Sequence, residues 1–354
     1  MSVSRRTPIV LSALGRRPNE IYARPTSVDR SLGKRLVCLA VALAVPAAAI
    51  SLAHAALVVE TPVLTSRASE ETPAAAWNAD GTIAYLAYAK NSLASPRRFN
   101  AYLRAIDPAD GSFTVVKLNA VGRGYLGGID PPTVVYQQIY NGRSNLKLYD
   151  VETGKRRNPP SGINTLKWEW APTISGSLLL FNRDDNTTVT QRVIMHDLTK
   201  TTGAETVLSK TTRSFHSTYA GQVNGNWAVW ARCTPICGVF RRDLVARTTI
   251  RLARPTNFAH DQYAPSVDSH GTVYLARSGR ACGSIVRIVR YTTGDITAGR
   301  PGTAIAQLPP QTSLSATFAR GNGNGTVDVL YDRLTCNTGR SDIYKITDAP
   351  PTAP

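Results

Sequence analysis

Short apolar runs, rich in β-branched and aromatic residues, recur along the chain and begin at positions 82, 133, 177, 227, 272 and 326. Their starts are 51, 44, 50, 45 and 54 residues apart. A turn rich in Gly, Asn, Asp or Ser precedes most of them, as in NADG, SGS and DSHG. Apolar runs bounded by such turns are typical of β-strands, so we predict a strand at each position.

A second apolar run follows each of these strands and ends in another polar turn, as in NLKLYDVETG. In most units a third short run follows, such as residues 113–118 and 303–308. With the segment before each first turn, this makes four antiparallel strands per unit. Six such units, repeated every 44–54 residues, are typical of propeller blades. We therefore predict an all-β fold, a six-bladed β-propeller; a pair of β-sandwiches is the alternative, against which the six similar units argue.

The sixth unit has no fourth strand of its own, because the chain after Ile346 runs into TDAPPTAP and proline cannot donate to a strand ladder. Residues 56–64, ALVVETPVL, form a strand-like segment that belongs to no unit. We predict that this segment is the outer strand of blade six and closes the ring, which removes an exposed edge. The expected organisation is a leader with a signal peptide over 1–55, the propeller over 56–349, and a disordered tail over 350–354.

Three units carry a recognisable repeat: AAAWNADGTIAYLA, WAPTISGSLLLFN and YAPSVDSHGTVYLA. They resemble the P-x-W/F-S-x-D-G-x-x-I-A-F repeat of the TolB-like, WD40-like six-bladed propellers. The resemblance covers most of residues 70–349. It implies the propeller fold and an extracytoplasmic compartment.

The chain begins with a leader that has the composition of a secretory signal. Residues 36–53 are an apolar run preceded by Lys34 and Arg35, and the run ends at the small-x-small site Ala53-His54-Ala55. We expect cleavage near Ala55 and a secreted or extracytoplasmic protein. The alternative is an uncleaved segment that anchors the protein in the membrane, because about 18 apolar residues can just span a bilayer.

The chain is strongly basic, with a formal net charge of +17 and a pI near 10. Residues 1–55 account for +6 of this charge, which leaves +11 on the remainder. A basic exported protein favours an anionic partner, so we expect a partner protein or an anionic cell-envelope polymer. Export and the absence of a nucleic-acid-binding motif argue against nucleic acid. We expect a monomer.

Four cysteines follow the leader: Cys233, Cys237, Cys282 and Cys336. An even number in an exported chain indicates disulfides, with three possible connectivities. Each of these cysteines falls between the second and third strands of its unit, so we expect them on one face of the ring. We predict the pairs Cys233–Cys237 and Cys282–Cys336; a zinc site is the alternative, which a lone C-x3-C supports weakly.

Aligning the units brings four aromatic residues to one equivalent position: Tyr125, Trp170, Tyr219 and Tyr263. Just before them lie Arg123, Trp168, Glu169, His216, His260, Asp261 and Gln262. One interpretation is an aromatic-rimmed pocket at the mouth of the central channel, with these residues as its ligand-binding groups. The other is that repeated aromatics pack between neighbouring blades, as a repeated architecture requires.

The sequence carries no nucleophile elbow, zincin motif or phosphate loop, so we expect a binding or scaffold module that needs no cofactor. The alternative is a metal-assisted lyase or hydrolase at the channel mouth. In that hypothesis His216 and His260 hold a divalent metal ion, and Asp261 or Glu169 acts as the base.

Overall fold

The structure is a computed structural model that describes residues 60–185, 189–200, 205–214, 216–255, 261–278 and 284–349. All of them belong to one unit, residues 56–354. Six antiparallel sheets follow one another along this part of the chain. The prediction of six four-stranded blades in a ring is confirmed.

Each of the first five blades is formed by four consecutive strands, innermost first. Blade one contains β2 (Glu70–Trp77), β3 (Ile83–Ser92), β4 (Ser95–Ile106) and β5 (Phe113–Lys117). Blade two contains β6 (Arg123–Asp130), β7 (Thr133–Tyr140), β8 (Arg143–Asp150) and β9 (Arg156–Arg157). Blade three contains β10 (Trp168–Ser175), β11 (Leu178–Asp184), β12 (Gln191–Asp197) and β13 (Glu205–Thr211).

Blade four contains β14 (Ser217–Asn224), β15 (Trp227–Cys233), β16 (Cys237–Asp243) and β17 (Thr249–Arg251). Blade five contains β18 (Asp261–Val267), β19 (Val273–Ser278), β20 (Arg287–Tyr291) and β21 (Thr303–Gln307), with the short helix α1 (Thr293–Thr297) between its last two strands. The capping box of Thr292 and Asp295 begins this helix.

Blade six is completed by the segment that precedes blade one. Its inner edge is split between β22 (Thr312–Ser313) and β23 (Thr317–Gly321), which both pair with β24 (Val327–Thr335). After β25 (Arg340–Asp348), the outermost strand is β1 (Thr61–Leu64), which pairs antiparallel with β25. The predicted closure of the ring is confirmed for residues 61–64, and residues 56–59 lie outside the described residues.

The core consists of layers of apolar side chains between neighbouring sheets. Residues that alternate along the inner strands of each blade supply these layers, as Leu179 and Phe181 of β11 do, both with no exposed surface. Because side chains alternate between the two faces of a strand, each sheet contributes to the layers on both of its sides. The near-continuous apolar runs of the sequence follow from this burial on both faces.

The ring has two distinct faces. Because consecutive strands are antiparallel, the loops between blades and the loops joining second to third strands leave the same face, which we call the interblade face. The turns joining first to second and third to fourth strands leave the other face, which we call the turn face. The innermost strands begin at the interblade face and end at the turn face.

Side chains of the innermost strands bridge the central channel. The side chain of Gln222 on blade four donates to the Ala319 carbonyl of blade six at 2.9 Å and accepts from the Val267 N–H of blade five at 3.2 Å. Nearer the turn face, Arg320 of blade six forms an ion pair with Asp130 of blade two. The Gln222–Ala319 and Arg320–Asp130 contacts join blades that are not neighbours, so the channel is crossed at two depths.

Candidate functional site

The residues singled out by the sequence lie at the interblade ends of the innermost strands. Tyr125, Trp170, Tyr219 and Tyr263 are each the third residue of β6, β10, β14 and β18. In each of these strands the pairing register shifts at a β-bulge, either directly after this position or one residue later. The four positions are therefore structurally equivalent, as the alignment of the units predicts.

The aromatic side chains contact neighbouring strands and blades. Trp170 meets Tyr219 of the next blade edge to face, with ring centroids 5.9 Å apart. Tyr125 stacks on Phe99 of blade one at 5.6 Å. Tyr263 is buried, and its hydroxyl lies 3.1 Å from that of Ser278. These contacts fit the interpretation that repeated aromatics pack between blades. The pocket interpretation stays a prediction for the half-exposed Arg123, Tyr125, Trp168, Trp170 and Tyr219.

Glu169 is held inside blade three. Its carboxylate has no exposed surface, accepts from Arg183 Nε at 3.0 Å and accepts from the Thr165 hydroxyl at 2.6 Å. Arg183 also forms an ion pair with Glu205 at 2.8 Å. Burial raises the pKa of the Glu169 carboxyl, while the bonds from Thr165 and Arg183 act against this rise. The sequence did not indicate this buried network, because its members come from three different strands.

Asp261 and Gln262 are buried at the start of blade five. The Asp261 carboxylate accepts from the Cys237 N–H of blade four at 2.8 Å. The Gln262 amide donates to the Tyr291 hydroxyl at 2.8 Å and to the Ala253 carbonyl at 3.2 Å. In these positions both side chains link strands and loops to one another.

The two histidines of the metal hypothesis are not both described. His216 is half-buried in the loop before β14, and its N–H donates to the Arg213 carbonyl at 3.0 Å. His260 lies outside the described residues. Within the part of the chain that the structure describes, no group of three or more His, Cys, Asp or Glu side chains could hold a metal ion. The metal-assisted alternative stays a prediction.

One disulfide fixes a hairpin on the interblade face. Cys233 and Cys237 form a disulfide between β15 and β16, as predicted. Cys336 is also disulfide-bonded, in the loop between β24 and β25. Cys282, its predicted partner, lies outside the described residues, so the second pairing stays a prediction.

Asp184, at the end of β11, is a titratable residue of this region that the sequence analysis did not identify. Its Oδ2 accepts from Gln191 Nε2 at 3.2 Å, and Gln191 Oε1 accepts from the Thr218 N–H of blade four at 3.2 Å. Burial raises the pKa of the Asp184 carboxyl to about 6. The only sequence signal is the pair Asp184-Asp185 after a strand, which does not indicate which carboxyl group is buried.

The interblade face is poor in exposed carboxylates. Four acidic residues at or next to the innermost strands are buried, and Glu71 of β2 is half-buried; the buried four are Glu70, Glu169, Asp261 and Asp332. Exposed basic side chains stand in the loops or at the strand ends of this face: Arg67, Arg98, Lys117, Arg143, Arg213 and Arg340. The result is a surface on which the exposed charges are mostly positive.

The turn face carries exposed charges of both signs, because its turns place aspartates at the surface beside Lys155, Lys200 and Arg247. The Asp80, Asp107 and Asp110 side chains are exposed, and each accepts from a backbone N–H two residues further on. Such local bonds stabilise the turn without burying the charge. The two faces therefore differ in charge, although the whole chain is basic.

Within the described residues, no helix is long and apolar enough to cross a membrane.

No family model matches the sequence, and neither does any curated protein. Solved propeller structures are similar in fold. A protein of unknown function from Dyadobacter fermentans is 10% identical, with a TM-score of 0.54 over 82% of this chain and 98% of that chain. TolB from Acinetobacter baumannii is 17% identical, with a TM-score of 0.49 over 75% of this chain; the match spans 64% of the TolB chain. An oligogalacturonate lyase in complex with manganese is 11% identical, with a TM-score of 0.47 over 81% of each chain.

Proposed function

We propose that this protein is an exported binding module whose interblade face binds the acidic surface of a partner protein. The observation that carries the proposal is the arrangement of charge on that face, where the carboxylates are buried or half-buried and several arginines and lysines are exposed. A surface of one sign attracts partners of the opposite sign and suppresses binding to partners of the same sign.

Exposed apolar side chains on the same face favour a protein over a uniform polyanion. Leu93, Tyr140, Leu166 and Ile285 are 64%, 49%, 78% and 55% exposed, and all four lie in or next to loops of the interblade face. Protein interfaces combine arginine with aromatic and aliphatic side chains. A polyanion that carries only charge would leave these apolar groups without a partner.

The bridged channel directs binding to the face instead of the interior. Gln222 and the Arg320–Asp130 ion pair cross the ring, so a partner segment meets side chains before it can pass through. Loops on a rigid ring are well suited to recognition, because the ring holds them in place.

The disulfide supports the proposed compartment. A Cys233–Cys237 bond persists in an oxidising environment such as the extracytoplasmic space. The proposed cleavage near Ala55 falls outside the described residues.

The test uses fluorescein-labelled poly(Glu,Tyr), a peptide polymer with both carboxylates and aromatic rings, and follows its anisotropy. The protein should bind it, and Arg67→Gln/Arg143→Gln/Arg213→Gln should weaken binding about fivefold, since each rim charge contributes a few tenths of a kcal/mol. The matched control removes three exposed basic residues of the turn face: Lys155→Gln/Lys200→Gln/Arg247→Gln. That variant should bind within about twofold of the wild type, because its charges lie on the other side of the ring.

Binding to dextran sulfate, with neutral dextran as the uncharged control, distinguishes a protein partner from an anionic polymer. Raising the salt to about 0.5 M shortens the screening length to a few ångströms and should abolish binding to dextran sulfate, while part of the poly(Glu,Tyr) binding persists through apolar contacts. If dextran sulfate alone binds, the partner is an anionic polymer and the protein-partner proposal is wrong. Equal losses in the two triple variants would also contradict it.

A further inference from the structure

A pocket of about 430 Å³ lies on the interblade face at the outer part of blade one, where the chain leaves for blade two. Its walls are Arg98 and Asn100 of β4, Lys117 of β5, and residues 120–122 of the following loop. A volume of this order is typical of ligand pockets. None of these residues belongs to the set at the channel mouth.

The polar side chains on the walls of this pocket offer hydrogen-bond donors. Arginine and lysine side chains carry no acceptor. Asn100 Oδ1 already accepts from Asn119 Nδ2 at 3.0 Å, so the amide N–H₂ is the group that Asn100 has left to offer. Among the described residues that line the pocket, none is acidic. A cationic site rich in side-chain donors fits an anionic group, because bonds to a charged acceptor are the strong ones.

The loop that forms one wall is held in place by the surrounding structure. Asn119 is fully buried, and its Oδ1 accepts from the Ala101 N–H at 2.9 Å. The Leu118 carbonyl accepts from Arg156 Nε at 2.6 Å and from the Tyr136 hydroxyl at 3.0 Å. The wall is therefore ordered before any ligand arrives, which lowers the entropic cost of binding.

Apolar surface adjoins the cations. Val121 of the pocket wall is 44% exposed, and Tyr140 is 49% exposed. Tyr140 lies next to the loop, because a Cβ added to Gly122 would be only 3.1 Å from the Tyr140 Cβ. A ligand in this pocket can therefore contact the cations and the apolar side chains of Val121 and Tyr140 at the same time.

We infer that this pocket receives a carboxylate side chain of the partner protein, and that Val121 and Tyr140 pack against an apolar residue beside it. The inference rests on the proposed function and names its anchoring contact. Arg98, Lys117 and the Asn100 amide hold the carboxylate, and the rest of the interblade face adds weaker, less directional attraction.

The experiment measures poly(Glu,Tyr) binding by anisotropy at low ionic strength, about 0.05 M. Arg98→Gln/Lys117→Gln should weaken binding about tenfold or more, because two charge-assisted contacts are lost. The matched control, Arg143→Gln/Arg213→Gln, removes two equally exposed cations of the same face and should weaken it no more than about threefold. Both pairs lie at the surface, and an unchanged melting temperature verifies folding.

Val121→Ser/Tyr140→Ser tests the apolar half of the contact. This variant should lose affinity for poly(Glu,Tyr) and keep its affinity for poly-glutamate, which has no aromatic ring. If Arg98→Gln/Lys117→Gln and Arg143→Gln/Arg213→Gln lose equal affinity for poly(Glu,Tyr), the anchoring pocket is overturned and the proposed function stays intact. No binding of poly(Glu,Tyr) by the wild type would overturn both.

Discussion

Gly127 and Gly221 lie where innermost strands of neighbouring blades come closest. A Cβ added to Gly127 would be 2.1 Å from the Pro172 carbonyl oxygen, and one added to Gly221 would be 2.4 Å from that of Pro265. Each glycine therefore accommodates the backbone and ring of a proline in the next blade. The pairs join blade two to three and blade four to five, at the bulge of each strand.

Gly127→Ala and Gly221→Ala should each destabilise the propeller by about 1–3 kcal/mol, because the new methyl group must displace backbone in the adjacent blade. The control is Gly321→Ala, also in an innermost strand, where the closest atom to the added Cβ is 3.9 Å away. Denaturant unfolding followed by circular dichroism measures the difference. A Gly321→Ala variant as unstable as the other two would contradict the proposed role of the close approach.

The raised pKa of the Asp184 carboxyl predicts that the stability of the protein depends on pH. Its pKa is about 6 in the folded protein and ordinarily 3.8, so folding favours the protonated form. This contribution to the free energy of unfolding is complete below pH 4 and is lost as the pH rises through 6. Asp184→Asn should therefore match the wild type near pH 4 and be more stable above pH 6, by up to about 3 kcal/mol.

Unfolding at pH 4, 5, 6 and 7.5 tests this difference between the two proteins. Asp185→Asn is the neighbouring control, because Asp185 is paired with Lys167 at 3.4 Å. It should give no stabilisation at any pH. A constant difference between Asp184→Asn and the wild type across this range would show that the Asp184 pKa is not raised.

At the scale of elements, the hairpin of β15 and β16 depends on two kinds of link. The disulfide joins its two strands, and the Asp261 carboxylate of blade five accepts from the Cys237 N–H. The first link restrains the hairpin itself, and the second ties it to the next blade. The carboxylate thus has a structural role that the candidate base assignment did not include.

Asp261→Ala should destabilise the protein by about 1–3 kcal/mol, because the buried Cys237 N–H loses this acceptor. Asp261→Asn keeps an oxygen at the same position and should retain most of the stability. Thermal unfolding under non-reducing conditions compares the two variants. If both lose stability equally, the charge of Asp261 is needed and the account based on the hydrogen bond is wrong.

At the scale of the whole molecule, β1 closes the ring. It pairs with β25, and the neighbouring Glu60 forms an ion pair with Arg333 of blade six. Without β1, the edge of β25 would be open to pairing with other chains. Closure also links the first described residues to the last blade, so unfolding should be cooperative across the ring.

A protein that begins at Thr65 should therefore melt several degrees below one that begins at Ala56, and should aggregate at micromolar concentration. Differential scanning fluorimetry and size-exclusion chromatography measure the two effects. Removal of residues 350–354 serves as the control, since we predict no contribution from them. Equal melting temperatures for the proteins that begin at Ala56 and Thr65 would show that closure adds little stability.

The architecture can be predicted from the amino-acid sequence, because a blade is a local structure. Strand alternation, turn residues and their period lie within about 50 residues of one another, so blade number and the Cys233–Cys237 pairing could be predicted. Ring closure joins distant ends of the propeller, and it was predictable because the sixth unit lacks a fourth strand and residues 56–64 belong to no unit. The equivalent positions of Tyr125, Trp170, Tyr219 and Tyr263 followed from the same repeat.

The contacts made at these positions depend on the packing of the blades and could not be predicted. Glu169 and Asp261 have the residue types of catalytic bases, yet their burial and their bonds to Arg183 and the Cys237 N–H depend on packing that the alternation of one strand does not specify. Two further features depend on packing because loops far apart in the sequence meet on one face of the ring. They are the difference in charge between the two faces and the pocket lined by Arg98 and Lys117. Periodicity shows which side of a strand a residue takes, and the packing of blades and loops decides which group it meets there.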